Sequence, residues 1–202
     1  MSRYIGPKLK INRRLGILPG LTTKKLKQKN QQNSLRKNLR LTDYAIRLKE
    51  KQKLKFNYGL TEKQLSSYMK KARKEKYFTS TILMQLLEMR LDNICFILGF
   101  AKTIQQARQL ITHKHIYVNN KIVNIPSFHC QLNDIISISK KQTSKNFLFK
   151  NYQNKIFTEY PSHIIFDNSL IEAKIIDYCR KEDILLNINE LLVIEYYSRK
   201  SI

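Results

Sequence analysis

Three cations, Arg47, Lys51 and Lys55, recur at four-residue intervals and so fall on one ridge of a helix. Alone in water, like charges at that spacing destabilise a helix by roughly 0.2–0.5 kcal/mol per pair. Against a row of phosphates the same ridge is favourable, although a solvated face is the alternative. A second group, Arg90, Arg108, Gln109, His113, Lys114 and Lys121, lies within one 32-residue stretch of alternating apolar and polar character. These types donate hydrogen bonds to phosphate and base edges, and nothing in the stretch looks like a catalytic centre. Bond-making chemistry finds little support elsewhere. HExxH, GxSxG and a glycine-rich phosphate loop are all missing, and only five glycines occur in 202 residues. His113 and His115 lie in THKH with no Cys or carboxylate at ligand spacing, and His129-Cys130 stands without further ligands, so no metal is expected. Cys95, Cys130 and Cys179 are scattered, which implies neither a disulfide framework nor a CxxC pair and fits a reducing compartment. Cys95 reads as a small buried hydrophobe.

The charge balance names the partner class. Lys+Arg number 38 against 15 Asp+Glu, a formal net charge of +23. Residues 1–80 hold 23 of those cations and 4 acids, whereas residues 81–202 hold 15 and 11. A basic N-terminal portion on a near-neutral remainder is the pattern of a nucleic-acid binder. With 42% hydrophobic residues the chain can still bury a core. Apolar runs fall short of the roughly 18–20 residues a membrane span needs, and no membrane partner is expected. The N-terminus lacks an apolar signal segment, and Gly6-Pro7 and Leu18-Pro19-Gly20 break any amphipathic transit helix, so it reads as mature protein.

The elements that must hold these residues can be followed along the chain. Residues 1–42 lack helical or strand periodicity and carry Arg3, Lys8, Lys10, Arg13 and Arg14. They read either as a solvated tail or as an extension that orders against phosphates. Asp43 to Tyr58 should be a helix closed by Gly59, and Thr61–Gln64 has the form of a capping box opening a second one. That second helix has Leu65, Tyr68, Met69 and Ala72 on its apolar face, with Lys63, Lys70, Lys71 and Lys74 off it. Leu83 through Leu98 predicts one long helix from about Ile82, ended by Gly99. Thr103–Gln106 is a further capping box for a helix through Thr112. The period then switches to two at Ile116–Val118 and Lys121–Val123, around an Asn119-Asn120 link suited to positive φ. Asp134–Ile138 is a further strand, 168–180 is either helical or a strand pair, and the apolar run 188–199 must dock on something.

MRLDN, QARQL and HKHIYVNNKIVNIPS, within Leu86–Ser127, resemble in order the RNA-binding module named after small-subunit ribosomal protein four. That module also occurs in pseudouridine synthases, tyrosyl-tRNA synthetases and a ribosome-rescue heat-shock protein. The flanks MSRYIGPKLK, RRLGILPGLT, EKQKLKFNYGLTEKQL, MQLLEMRLDN and INELLVIEYYSR extend the resemblance to the small-subunit ribosomal protein four family, its chloroplast form more than its free-living bacterial one. The resemblance is weakest at 24–42 and 139–187. It implies an α+β, mainly α fold: a basic rRNA-binding arm (1–42), a helical lobe (43–89) completed by the C-terminal segment (170–202), an inserted helix–helix–hairpin module (90–152) and a connector (153–169). It further implies a plastid protein, not a homo-oligomer, that binds small-subunit rRNA and nucleates assembly of the subunit body. Its neighbour would be ribosomal protein five, at a surface linked to translational accuracy near the mRNA entry path. The expected RNA contacts are Arg3, Lys8, Lys10, Arg13, Arg14, Arg47, Lys51, Lys55, Tyr58, Arg90, Arg108, Gln109, His113, Lys114 and Lys121, with Arg90 alternatively paired to Asp92 or Glu88 inside the fold.

Three departures from the family pattern stand out. Tyr77-Phe78-Thr79-Ser80 replaces a glycine-containing turn, Asn120 replaces a hairpin glycine, and no cysteine precedes Cys95 where some bacterial members bind zinc. Neither metal nor cofactor is carried over. An RNA-modifying enzyme would need a separate catalytic domain of about 100–200 residues, for which the chain has no room. A free quality-control RNA binder is the other rival.

Overall fold

The computed structural model describes residues 4–24, 42–139, 151–152 and 160–199. Helices are α1 (Lys8–Leu15), α2 (Asp43–Asn57), α3 (Glu62–Lys74), α4 (Thr79–Glu88), α5 (Leu91–Ile97), α6 (Ile104–Thr112) and α7 (Glu190–Ser198). Strands are β1 (Ile116–Val118), β2 (Lys121–Ile122), β3 (Ile135–Ile138), β4 (Ile164–Asp167) and β5 (Glu172–Ile175). They form one antiparallel sheet in the order β2-β1-β3-β5-β4. The class is α+β with helices predominating.

The N-terminal segment departs from its expected lack of structure. Pro7 stands just ahead of α1, where its missing N–H costs nothing, and Gly16 at φ 102° ends the helix. Ile11, Leu15, Leu18 and Leu21 enter the core. Gly20 wedges between α2 and α6: its N–H donates to Asn57 Oδ1 at 2.9 Å and its carbonyl accepts from Ile104 N at 3.0 Å. A Cβ there would lie 2.6 Å from the Asn57 carbonyl, so the position demands glycine. The turn residues read as helix breakers are thus what seats this segment on the fold. Residues 25–41 lie outside the described residues.

The long helix expected from Ile82 to Leu98 is two helices. α4 ends at Glu88, Arg90 is extended, and α5 begins at Leu91. Residues 126–130 supply the reason. Cys130 N–H donates to the Met89 carbonyl, Leu91 N–H to that of Phe128 and Asp92 N–H to that of Pro126, at 2.9–3.1 Å, and Arg90 bridges His129. Every residue from 87 to 101 is buried, so the apolar repeat carries no phase that could betray the break.

The capping boxes differ. Thr61 and Gln64 exchange both bonds, whereas the Gln106 side chain reaches past Thr103 to the Lys102 N–H at 2.9 Å. The Asn119-Asn120 turn forms with φ of 49° and 61°, and no glycine is needed. Asn119 pins it from outside by donating to Asp134 Oδ1 (2.7 Å) and accepting from Ile135 N (2.9 Å). Of the two alternatives for 168–180, neither a helix nor a complete strand pair forms. The segment holds one strand, β5, whose hairpin partner β4 precedes it, pairing from Ile164↔Ile175 to Asp167↔Glu172, and β5 also pairs β3 at Ile135↔Lys174. The sheet therefore draws in segments assigned from the resemblance to the connector and the C-terminal lobe. The C-terminal helix α7 docks on α2, burying Val193, Tyr196 and Tyr197.

Candidate nucleic-acid interface

The cations of highest sequence regularity turn inward. On α2, the Arg47 Nε lies 2.5 Å from Glu195 of α7. Lys51 Nζ lies 2.9 Å from Glu62 of α3 and over the Tyr196 ring at 4.6 Å, with only 4% of its side chain exposed. Lys55, more open, is 3.6 Å from the same carboxylate. Burial works to raise the Glu62 carboxyl, but Lys51, Lys55 and the Tyr197 hydroxyl outweigh it and hold it below its ordinary range. The ridge exists as a ridge, yet distant acids cover it. Lys51 as a free phosphate contact is corrected.

The same holds at the α4–α5 break. Asp92 is fully buried and takes Arg90 Nε and Nη2 (3.0 and 2.7 Å) together with Arg108 Nε (2.8 Å). Arg108 spends its other two nitrogens on the carbonyls of Gly59 and Tyr58, both at 2.7 Å. One guanidinium thereby joins α6 to the α2–α3 turn, where Gly59 sits at φ 58° and a Cβ added to it would lie 3.1 Å from Arg108 Nη1. Arg90, 2% exposed, takes the internal alternative with Asp92 and also donates to the Tyr68 hydroxyl. Tyr58, expected on the surface, is 1% exposed, and its hydroxyl donates to buried Glu88. Burial, opposed by the bonds from Tyr58 and Asn93, pushes the Glu88 carboxyl up to about 7. For Lys51 and Tyr58 the cause is the same, since their partners lie 11 and 30 residues away and periodicity on one helix reports neither, whereas Arg90 takes the local pairing with Asp92 that the sequence left open.

Outward-facing cations are of another kind. Lys10, Arg13 and Arg14 of α1 are exposed, with Lys8 half-buried; Arg3 lies outside the described residues. Lys63, Lys70, Lys71, Arg73 and Lys74 of α3 are exposed. So are Gln109 and His113 at the end of α6, Lys114 in left-handed backbone at φ 61°, and Lys121 on the hairpin. Among the described residues these cations have no carboxylate within 4.0 Å. The α3 face was legible as a basic helix but went unassigned to the site; its signal was the lysines off the apolar stripe. Tyr68 of α3 accepts from Arg90, which bridges His129, so α3 lies beside the 126–130 loop; burial, with Lys71 and Arg90, lowers the His129 imidazole. A cleft of about 670 Å³ lies among Tyr4, Lys8, Lys55, Glu62, Gln105 and Arg108, bringing the N-terminal segment, the α2–α3 turn and α6 together. The chemistry offered is anion neutralisation with polar and aromatic contacts. Cys95 and Cys130 are buried, which pushes both thiols up, and no three potential metal ligands gather among the described residues.

Comparison with known proteins meets this geometry at the α4–α5 break. Residues 3–88 match the model described as the ribosomal protein S4/S9 N-terminal domain, and residues 89–136 match the S4 domain. A small ribosomal subunit protein uS4c of Phaeodactylum tricornutum is 57% identical over 203 residues, covering 99% of this chain and all of its own. The chain belongs to the ribosomal protein S4 family. Its likeness extends to the uS4c of Marchantia polymorpha, 51% identical over 201 residues, and to the uS4 of Synechococcus elongatus, 49% identical over 203, each again spanning 99% of this chain and the whole relative. The two S4-family models meet between Glu88 and Met89, one residue before the bend that Arg90, Asp92 and Arg108 tie down. Those residues bind the two S4 segments to each other.

Proposed function

We propose that this chain is a structural, rRNA-binding constituent of the small ribosomal subunit of a plastid. The observation that carries it is full-length identity to small-subunit proteins of plastid type, joined to outward cations that no described carboxylate neutralises. Lys8, Lys10, Arg13 and Arg14 on α1, the lysines and Arg73 of α3, and Gln109, His113, Lys114 and Lys121 of the S4 domain contact phosphates, sugars and unpaired bases. Deep, narrow A-form major grooves exclude side chains, so recognition runs through shape, 2′-hydroxyls and single-stranded elements. Arg90, Arg108 and Asp92 hold the two segments at a fixed angle and act on RNA only through that rigidity. The protein performs no catalysis, works as a single copy, helps nucleate assembly of the subunit body and adjoins ribosomal protein five at a surface that affects accuracy.

Sedimentation of plastid ribosomes tests the reading. Stoichiometric retention of the chain on small subunits after a high-salt wash is the expected result; release into the free pool would instead favour a quality-control RNA binder.

A further inference from the structure

Between α3 and α4 the chain presents Tyr77 and Phe78 at 77% and 84% exposure, more open than any other aromatic residue described. Neither ring has an aromatic neighbour or a hydroxyl or ion-pair contact among the described residues, whereas exposed Tyr4 and Tyr44 rest on Phe56 and Tyr196. Phe78 is also the residue that caps α4, and it provides no side-chain bond there. Ser, Thr, Asp or Asn would stabilise that position by about fivefold in helix equilibrium terms. Local folding therefore gains nothing from an aromatic pair at this place. The approach to it is strongly basic: Lys70, Lys71, Arg73, Lys74 and Lys76 are exposed over seven residues against Glu75 alone. A protein partner with an apolar patch would have to accept that charge. A partner that carries both flat apolar faces and a dense negative backbone accepts both at once.

We infer that Tyr77 and Phe78 form a stacking platform for unpaired bases of the small-subunit rRNA, with the α3 cations holding the adjoining phosphates. This rests on the rRNA-binding reading above and names a site within it. Stacking on aromatic rings is tolerant of base identity because every base has a π-face, so the platform recognises a single-stranded or bulged segment and not a particular sequence. It contributes affinity without releasing counterions, which separates its signature from that of the lysines.

The chain contains no tryptophan, so Phe78→Trp introduces a single indole at the platform. The full-length protein carrying it is titrated with transcribed plastid small-subunit rRNA. The expected results are wild-type affinity and quenching of the indole as rRNA saturates. The Tyr77→Ala/Phe78→Ala double variant, whose thermal melt checks folding, should bind about tenfold more weakly at every salt concentration, with an unchanged salt slope. Wild-type affinity in the double variant, an indole unaffected by saturating rRNA, or an indole that responds only to added small-subunit proteins would each overturn the platform. Failure of the wild-type chain to bind this rRNA would overturn the underlying reading instead.

Discussion

α2 and α3 lie next to each other in the chain, and each carries basic residues off its apolar face, but different groups cover them. The α2 row meets Glu195 of α7 and Glu62 of α3, and Lys51 is buried. The α3 row meets solvent, beside a loop carrying two open aromatic rings. Helical spacing places residues on a common face; whether that face is covered depends on elements elsewhere. A regular row of cations is therefore poor grounds for assigning a phosphate site until the carboxylates have been located. Cations at an exposed face with no acid nearby are better grounds, because only an external anion can neutralise them.

The comparison fails most visibly if the inward cations are not structural. Asp92→Ala leaves the buried Arg90 guanidinium and the part-buried Arg108 one without their carboxylate and should destabilise the fold by about 3–5 kcal/mol, measured by urea unfolding; a loss under about 1 kcal/mol would show that the joint is not held this way. Next in size is the contrast between the two helices. Replacing Lys70, Lys71, Arg73 and Lys74 by Ala should lower the salt slope of rRNA binding by roughly 0.7–0.9 per lost contact. Arg47→Ala and Lys51→Ala should leave the slope unaltered while lowering stability. A slope that falls equally for both sets would erase the distinction.

Glu88 sharpens the contrast from the acidic side, being a buried carboxylate with Tyr58 and Asn93 for partners and, among the described residues, no cation paired to it. Its folded pKa, about 7, exceeds the ordinary value of 4.5, so between those pH values the native state holds a proton that the unfolded state has released. Its contribution is full below pH 4.5, declines by up to about 1.4 kcal/mol per pH unit as pH rises, and levels off above about 7. His129 and His163, both lowered, act in the opposite sense near pH 6, so the test is the difference between wild type and Glu88→Gln across pH 5–8. That difference should shift against the wild type as pH rises; a flat difference would mean that Glu88 is ionised in the fold. The smallest effect belongs to Lys55. Its looser pair with Glu62 predicts a stability change of only about 0.2–1 kcal/mol in Lys55→Ala by thermal melt, clearly below that of Lys51→Ala.

Local signals identified most elements because each rests on chemistry within a few residues. Thr61 and Gln64 satisfy each other's neighbours, Asn119-Asn120 accepts positive φ, and the repeat over α6 buries Ala107, Leu110 and Ile111. The misread places need distant partners. The break at Arg90 is made by residues 126–130, and α1 is held by Leu18, Leu21 and Gly20 reaching α2 and α6. Of the expected RNA contacts, Gln109, His113, Lys114, Lys121, Lys10, Arg13 and Arg14 are exposed where RNA can reach them. Tyr58, Lys51 and Arg90 are not.

By itself, then, the sequence determined the polyanionic partner, through a charge of +23 weighted to residues 1–80, and the family, through motifs spread along the chain. It also determined the caps and turns, whose bonds close within a few residues. Tertiary structure alone decided which cations are spent. An arginine's charge is the same in any context, but a buried carboxylate such as Asp92 can hold two of them in place of a phosphate, and only the fold determines where that carboxylate lies.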